Sequence, residues 1–378
     1  MQHNGSPASD VLSNLPNNVL ENILTRLPLR DAVKTSVFSR KWRYNWATLP
    51  RLVFDDTFSA GYPRTQALRK ELLKTIYEVL LLHNGPIVEF TLTIPGLESC
   101  PEINHLIRFL SFNNIQDFTL RISMGECHKL SPFLFSCVGL RHLHLTSCLF
   151  NPPPTFQGFE RLISIKFQKV EFGINGFEIS TCKWPLLEQL ILEECSNIDN
   201  LAIDAPNLKL LYFGGQFKSI CFRKTPILAS VTFMAPQTSA SQLFDGTRTT
   251  GIIEVFCCIP LLEYLYAGYY FIMLHNGGTA DEVEAVGVFL ESQDFSDVSL
   301  NKLREIQLLI FDNSKPEMEF VKLLLVKSPL LEKMCIKLKV SDITKGFRVL
   351  KEVIRFRRAS STAEIIVLGE GENFDSWK

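Results

Sequence analysis

One pattern of apolar residues recurs along most of the chain and limits its possible folds more than any other feature. The pattern has the form L-x-x-L-x-L-x-x-N/C-x-L, and copies beginning at Leu140, Leu162 and Leu187 follow it closely. Apolar residues at every second position predict a strand with one buried face, so each copy predicts one strand. Looser copies begin at Ile87, Ile115, Leu208, Leu228, Leu262, Leu303, Leu331 and Ala363.

The spacing of these copies predicts how the strands are arranged. The starts from Ile87 to Leu228 lie 20 to 28 residues apart, which is typical of leucine-rich repeats, where a strand and a return segment form one coil. A single coil cannot bury its leucines, but stacked coils share a continuous core. We therefore predict an α/β fold built as an irregular leucine-rich-repeat solenoid with parallel strands. An ordinary α/β domain with apolar strands is the alternative.

Smaller features predict further elements within the repeats. We expect two inserted loops at 235–251 and 277–300, where the steps between copies are longer, and a short helix at about 283–290. Five copies have a proline two positions before the first leucine, where it should end one segment and start an extended one: Pro185, Pro206, Pro226, Pro260 and Pro329. Two short return strands are predicted at Ile198, Leu201 and Ile203 and at Phe217, Ile220 and Phe222.

Side chains that alternate with the buried leucines should face outward and form a continuous binding surface. We predict that this surface recruits a protein substrate. Recognition through the two inserted loops is the alternative. The predicted substrate-binding residues are His142, His144, Ser164, Lys166, Gln189, Ile191 and Tyr212.

The segment 10–46 has a different, helical pattern. Its apolar residues fall at helical spacing and form one stripe, and a second helix should open at Arg30 and Asp31. About forty residues bury too little surface to be stable alone, so this segment should pack on the rest of the chain, on a partner, or on both. A plain helical cap on the repeats is the alternative. The stripe consists of Val19, Leu20, Ile23, Leu24 and Leu27.

The order of residues in this segment closely resembles the plant-type F-box. Two Leu-Pro pairs, at 15–16 and 27–28, precede a Ser-x-x-Trp element at 39–42, and Phe38 stands where leucine is commoner. The resemblance implies binding to the Skp-family adaptor of an SCF-type cullin–RING ubiquitin ligase. Some of the residues that the resemblance assigns to adaptor binding could instead belong to the internal core. The assigned adaptor contacts are Leu15, Pro16, Leu20, Ile23, Leu24, Pro28, Val37, Ser39 and Trp42.

The C-terminal part resembles the FBD domain of plant F-box/FBD/LRR-repeat proteins. A helix at 319–325, a Ser-Pro-Leu-Leu-Glu element at 328–332 and an amphipathic helix at 347–358 precede a last apolar segment at 363–366. We predict four parts, in the order F-box, helical linker or cap, leucine-rich repeats and FBD domain, with the boundaries 8–50, 51–86, 87–315 and 316–370.

Composition excludes several functional classes. The formal net charge is -1, so bulk electrostatics favour neither a nucleic-acid nor a membrane partner. The polar first residues predict no secretory signal, and the ten cysteines contain no CxxC pair. Both observations favour reduced thiols inside the cell, in the nucleus or the cytoplasm.

Four residues could offer ligands to zinc, namely Cys137, His142, His144 and Cys148. Two histidines that face outward from one strand explain the same spacing. We predict no metal and no cofactor.

No motif for catalysis is visible. The chain has no glycine-rich phosphate loop, no GxSxG and no HExxH, and Arg355, Arg357 and Arg358 are interpreted as a solvated helix face. The resemblance therefore implies a substrate-recognition subunit of an SCF-type ligase that is not itself an enzyme. A binding scaffold without ligase coupling and a small-molecule receptor on the same repeats are the alternatives.

Overall fold

The computed structural model describes residues 15–38, 42–61, 66–173, 184–198, 200–215, 219–234, 256, 258–268, 300–310, 315–338 and 343–369. The predicted loop at 235–251, the predicted loop at 277–300 apart from Leu300, the helix at 283–290 and Phe217 lie outside the described residues. The chain forms two compact units, an N-terminal unit (Met1–Leu149) and a C-terminal unit (Phe150–Lys378).

The N-terminal unit begins with helices and continues with parallel strands. Its sheet has the order β1-β2-β3-β5, with every pair parallel. The short strand β4 pairs with β6 (Cys148–Phe150) away from this sheet. The elements in chain order are α1 (Asn17–Leu24), α2 (Leu29–Lys34), 3-10 turns at Thr35–Val37 and Asn45–Thr48, β1 (Arg51–Phe54), α3 (Asp56–Ser59), α4 (Gln66–Leu82), β2 (Glu89–Leu92), α5 (Pro101–Ser111), β3 (Asp117–Arg121), β4 (His128–Lys129), a 3-10 turn at Pro132–Ser136, and β5 (His142–Thr146).

The C-terminal unit continues the parallel strands. Its sheet has the order β7-β9-β11-β13-β14-β15-β16-β17, and β10 pairs with β12, again in parallel, on the return side. This arrangement confirms the predicted repeat fold and the two return strands. The elements are β7 (Ser164–Gln168), β8 (Glu171–Phe172), β9 (Gln189–Cys195), β10 (Asn200–Asp204), β11 (Leu210–Gly215), β12 (Ser219–Lys224), β13 (Ser230–Met234), β14 (Tyr264–Gly268), β15 (Glu305–Ile310), α6 (Lys315–Lys327), β16 (Lys333–Leu338), α7 (Ile343–Val353) and β17 (Glu364–Leu368).

A buried turn leads into eight of the described strands, β5, β7, β9, β11, β13, β14, β15 and β16. The amide of Leu187 donates to the carbonyl of Trp184 at 3.2 Å, and both side chains are buried. Pro185 therefore occupies the second position of a four-residue turn, where its fixed φ is favoured. The prolines thus form the turn itself, in addition to ending the previous segment. Equivalent bonds close the turns that end at Leu140, Leu162, Leu208, Leu228, Leu262, Leu303 and Leu331.

Successive strands are joined where they begin by one carbonyl that accepts two amides. The carbonyl of Ile163 accepts from the amides of Glu188 at 2.8 Å and Gln189 at 3.1 Å. These bonds involve only the backbone, so they recur whatever side chains are present. The same double acceptor recurs in the C-terminal unit at Glu188, Lys209, Ala229, Glu263 and Arg304.

The inward side chains of the strands form the core of each unit. In the N-terminal unit the rings of Phe54, Phe90 and Phe118 follow one another across three strands, with centroids 5.6 and 6.2 Å apart. In the C-terminal unit Leu190 and Leu192 are at most 1% exposed. Dispersion and burial along these rows stabilise the stacking of one coil on the next.

One predicted helix differs from the structure. The amphipathic helix expected at 347–358 begins earlier and ends at Val353. Val349 and Val353 face the core, and beyond Val353 the chain turns toward β17. The interpretation of Arg355, Arg357 and Arg358 as part of a helix face was therefore wrong, since these residues follow the helix.

Truncating Leu190 tests the shared core. Leu190→Ala should lower the free energy of unfolding by about 2–5 kcal/mol, because the side chain is 0% exposed and its loss leaves a cavity. Leu186→Ala is the matched control, since Leu186 is 47% exposed in the preceding turn. Urea denaturation followed by circular dichroism measures both. Equal losses for the two variants would contradict the assignment of Leu190 to the core.

His128 on β4 is a buried, neutral histidine in the N-terminal unit. Its Nδ1 lies 3.0 Å from Ser99 Oγ and its Nε2 lies 3.2 Å from Asn104 Oδ1. The amide oxygen can only accept, so Nε2 carries the proton and Nδ1 accepts from the hydroxyl. Burial disfavours the imidazolium and lowers the pKa of His128 to about 4.

This lowered pKa predicts a pH-dependent stability. Between the ordinary histidine pKa of 6.5 and about 4 the unfolded chain binds one more proton than the folded chain, so stability falls as pH falls. From pH 7 to pH 5 this residue should remove about 2 kcal/mol. His128→Gln should show a smaller loss over that interval in urea denaturation. An identical loss in the wild-type protein and the variant would show that His128 titrates normally.

Candidate functional site

The two Leu-Pro pairs of the N-terminal segment each begin a helix. The carbonyl of Pro16 accepts from the amides of Val19 and Leu20 at 3.0 and 3.1 Å, and Pro16 stands at the N-cap of α1. Pro28 stands at the N-cap of α2 in the same way. A proline lacks an amide hydrogen, which a helix start does not need, so both prolines fix where the helices begin.

The structure divides the predicted adaptor contacts into an exposed and a buried group. Pro16, Pro28 and Val37 are exposed, and Leu15 and Ile23 are half-buried. In contrast, Leu20, Leu24 and Trp42 are at most 2% exposed and belong to the core beneath that surface. Ser39 lies outside the described residues.

More apolar side chains are exposed around these helices than the sequence indicated. Val37 is 83% exposed, Tyr44 60% and Phe38 57%. The Phe38 ring lies edge-on to the buried Trp42, with centroids 5.9 Å apart, so the core holds Phe38 in place at the surface. Val19 and Leu27 are partly exposed as well. Exposed apolar side chains on one helical segment are typical of a protein-binding surface, and we call these five residues together with Leu15 and Pro16 the helical patch.

The outward residues of the N-terminal sheet lie in two rows. His142 aligns with Asp117, its Nε2 3.8 Å from the carboxylate, and His144 aligns with Thr119. Further along the first row, Arg51 Nε lies 2.6 Å from Glu89. The Arg51–Glu89 ion pair is partly exposed and contributes little to stability, but with Asp117 it places polar and charged groups along this row of the sheet.

The outward residues of the C-terminal sheet also lie in rows. Ser164 aligns with Gln189, Lys166 with Ile191, and Ile191 with Tyr212. The structure therefore brings these five predicted residues together on one sheet. His142 and His144 lie on the sheet of the other unit, so a surface shared by all seven residues stays a prediction.

Sequence reasoning missed residues further along the same rows. Thr232 aligns with Tyr212, Tyr266 aligns with Thr232, and Tyr264 aligns with Ser230. Their copies begin at Leu228 and Leu262, which match the repeat pattern only loosely. The same alternation that identified Lys166 and Ile191 would have placed them outward as well.

The four predicted zinc ligands do not form a site, and the buried thiols of Cys137 and Cys195 are unreactive. Cys137 and Cys148 are buried, whereas His142 is exposed on the opposite face of β5, so the four predicted ligands do not converge. No cluster of metal-binding side chains occurs in the described part of the chain. Burial raises the pKa of Cys137 and of Cys195 to about 11, so these thiols stay protonated at neutral pH.

Comparisons with known proteins agree with this architecture. Residues 12–54 match the F-box domain. An F-box/FBD/LRR-repeat protein of Arabidopsis thaliana is 30% identical over 95% of this chain and 98% of its own length. An F-box/LRR-repeat protein of the same plant is 27% identical over 70% of this chain and 71% of its own length. A further F-box/FBD/LRR-repeat protein is 27% identical over 53% of this chain and 47% of its own length. None of the helices that the structure describes is both long and apolar enough to span a membrane.

Proposed function

We propose a function from the family of the chain, which belongs to the plant F-box/FBD/LRR-repeat proteins. The chain is the substrate-recognition subunit of an SCF-type cullin–RING ubiquitin ligase. The F-box would bind the Skp-family adaptor, and the repeats would recruit a protein substrate for ubiquitination. The observation that carries the proposal is the helical patch, which lies within the residues that match the F-box domain.

The helical patch supports adaptor binding through its exposure. Pro16 and Val37 present apolar surface to solvent, and covering such surface favours association. We assign direct contacts to Leu15, Pro16, Ile23, Pro28 and Val37, with Ser39 added on the resemblance alone. Leu20, Leu24 and Trp42 would act by holding this surface in shape from the core.

The chemistry of the chain fits an adaptor. Cys137 and Cys195 are buried and protonated, so neither is suited to form a thioester, which needs an accessible thiolate. By its membership of the F-box family, the chain would leave ubiquitin transfer to other subunits of the ligase and would not itself be an enzyme. The proposed role places the protein in the nucleus or the cytoplasm. We also propose the four-part division into F-box, helical linker or cap, leucine-rich repeats and FBD domain, with the boundaries 8–50, 51–86, 87–315 and 316–370.

Replacing Leu15 and Pro16 by alanine tests adaptor binding. The double variant should weaken binding to the Skp-family adaptor more than about tenfold, because apolar anchors near the centre of an interface carry much of its energy. Isothermal titration calorimetry with the purified adaptor measures the affinity. The repeats should keep their circular dichroism spectrum.

A control variant separates this effect from a general loss of apolar surface. Leu81 and Leu82, at the end of α4, are 77% and 57% exposed, and changing both to alanine should leave adaptor affinity unchanged. Unchanged affinity in the Leu15 and Pro16 variant would contradict the proposed ligase coupling and favour a scaffold without it.

The outward strand face is tested by changing charge on it. Lys166→Glu combined with His144→Ala should reduce substrate capture and spare adaptor binding, since both side chains face outward from their strands. Quantitative mass spectrometry of proteins that co-purify under proteasome inhibition measures capture. The matched control combines Lys322→Glu with His105→Ala, on α6 and α5. If capture survives in the strand-face variant but is lost on deleting 235–251 or 277–299, recognition lies in those loops.

A further inference from the structure

Three neighbouring strands of the C-terminal unit differ sharply in the size of their outward side chains. The middle strand, β13, presents Ser230 and Thr232. On one side β11 presents Leu210 and Tyr212 in register with them, and on the other side β14 presents Tyr264 and Tyr266. Neighbouring strands are about 4.8 Å apart, so the two walls stand roughly 10 Å apart across a low floor. We call this groove, defined by these six residues, the β13 trough.

Gly214 leaves space for the ring of Tyr212, one of the two wall residues beside Thr232. A Cβ atom on Gly214 would lie 3.2 Å from Tyr212 Cε1 and 3.4 Å from its hydroxyl oxygen, so the ring lies along its own strand over Gly214. Burial, then the nearby Glu193 and Glu194, raise the pKa of Tyr212. Burial, then Tyr212 itself, raise the pKa of Tyr266.

A charged cavity of about 390 Å³ lies at the N-terminal end of the same three strands. Ala229, directly before the first floor residue Ser230, contributes to its lining, so the trough leads into the cavity. Lys209 and Glu263 stand directly before the two walls. The charged and large apolar side chains that line the cavity include Lys209, Leu261, Glu263, Lys302 and Arg304.

The ion pairs around the cavity leave one lysine available. Lys209 pairs with Glu188 at 2.9 Å, and Arg304 pairs with Glu332. Lys302 has no carboxylate within ion-pair distance in the part of the chain that the structure describes. Lys302 is therefore the cationic group of the lining that can pair with a negatively charged group of a ligand, while Glu263 is the carboxylate in the lining.

We infer that the β13 trough and its cavity bind an extended peptide segment of a protein substrate, with a large apolar side chain between Tyr212 and Tyr266 and an acidic side chain near Lys302. The inference rests on the proposed function and names the substrate class for it. Glu305 aligns with Ser230 through Tyr264, so Lys302 lies five positions before the level of Thr232, about 17 Å along the strand direction, and two strands to the side. Because the side chains of an extended peptide alternate, two residues that both face the sheet are an even number of positions apart. With the reach of the lysine and glutamate side chains, the apolar and acidic residues of the peptide should be about four positions apart.

A peptide fits this shape better than a compact ligand. The trough and the cavity together run along β13 and the turn before it, from Thr232 back to Ile227, and are therefore long and narrow, about 17 Å in length. The hydroxyls of Ser230 and Thr232 lie half-buried along its floor, where they can bond to the backbone of an extended segment. The tyrosine walls offer flat apolar surface with little conformational entropy to lose.

The test uses the full-length chain in complex with its adaptor and a set of fluorescein-labelled Gly-Ser peptides. Each peptide holds one leucine or phenylalanine and one glutamate, at separations of one to five positions and in both orders. Fluorescence anisotropy should show tightest binding at a separation of about four, and weaker binding at separations of three and five, which turn one of the two side chains away from the sheet. Thr232→Trp fills the floor and should weaken that binding more than tenfold. Thr119→Trp is the matched control on β3 of the other unit and should change nothing.

Two milder variants keep the test valid if the tryptophan variant fails to fold. Tyr264→Ser removes part of an exposed wall and should weaken binding of the same peptide severalfold. Lys302→Glu should weaken the glutamate peptide and strengthen a matched peptide that carries lysine instead. No separation preference in the peptide set, or equal affinities for the Thr232 and Thr119 variants, would overturn the inference.

Two further readouts separate this inference from the proposed function and from another occupant. If the trough variants bind adaptor and capture substrate normally, the trough assignment fails while the receptor role stands. If the wild-type chain binds peptide but not adaptor, the ligase role fails instead. A second copy of the chain in the trough would appear as self-association lost in Thr232→Trp, measured by analytical ultracentrifugation, and would also overturn the inference.

Discussion

The double-acceptor carbonyl between successive strands is the interaction on which both sheets depend. A carbonyl such as that of Ile163 receives the two amides that open the next strand, and the buried turn before that strand brings those amides to it. A shift of one residue would turn every leucine of the strand to the outer face. The leucine that ends each turn and the backbone bond therefore fix the register together, and the same two elements recur where the sequence between them changes.

This constraint explains which parts of the fold could be predicted from sequence. The strands were predictable because Leu140, Leu162 and Leu187 must each enter the core immediately before a strand. The return strands were predictable because Leu201 and Ile203 alternate in the same way. The end of α7 was not, since a helix boundary depends on tertiary contacts that the amphipathic pattern of 347–358 does not contain.

The candidate sites were less predictable than the fold, for a related reason. Leu20 and Pro16 belong to one motif, but the first is buried and the second exposed, and spacing alone does not separate a residue that shapes a surface from one that forms it. The trough was missed because it is a property of three strands together. Ser230 and Thr232 are unremarkable in their own strand and become a floor only between Tyr212 and Tyr266.

The backbone nature of the bonds between coils has a consequence for how such a protein changes over evolutionary time. Outward residues such as Thr232 and Tyr266 contribute neither to the double-acceptor bonds nor to the buried turns, so drift at these positions leaves the fold intact. Duplicated genes can therefore diverge in what they capture while selection preserves the inward leucines. Lineages built on this plan should accumulate substitutions in alternating stripes, with conserved and variable residues only one position apart.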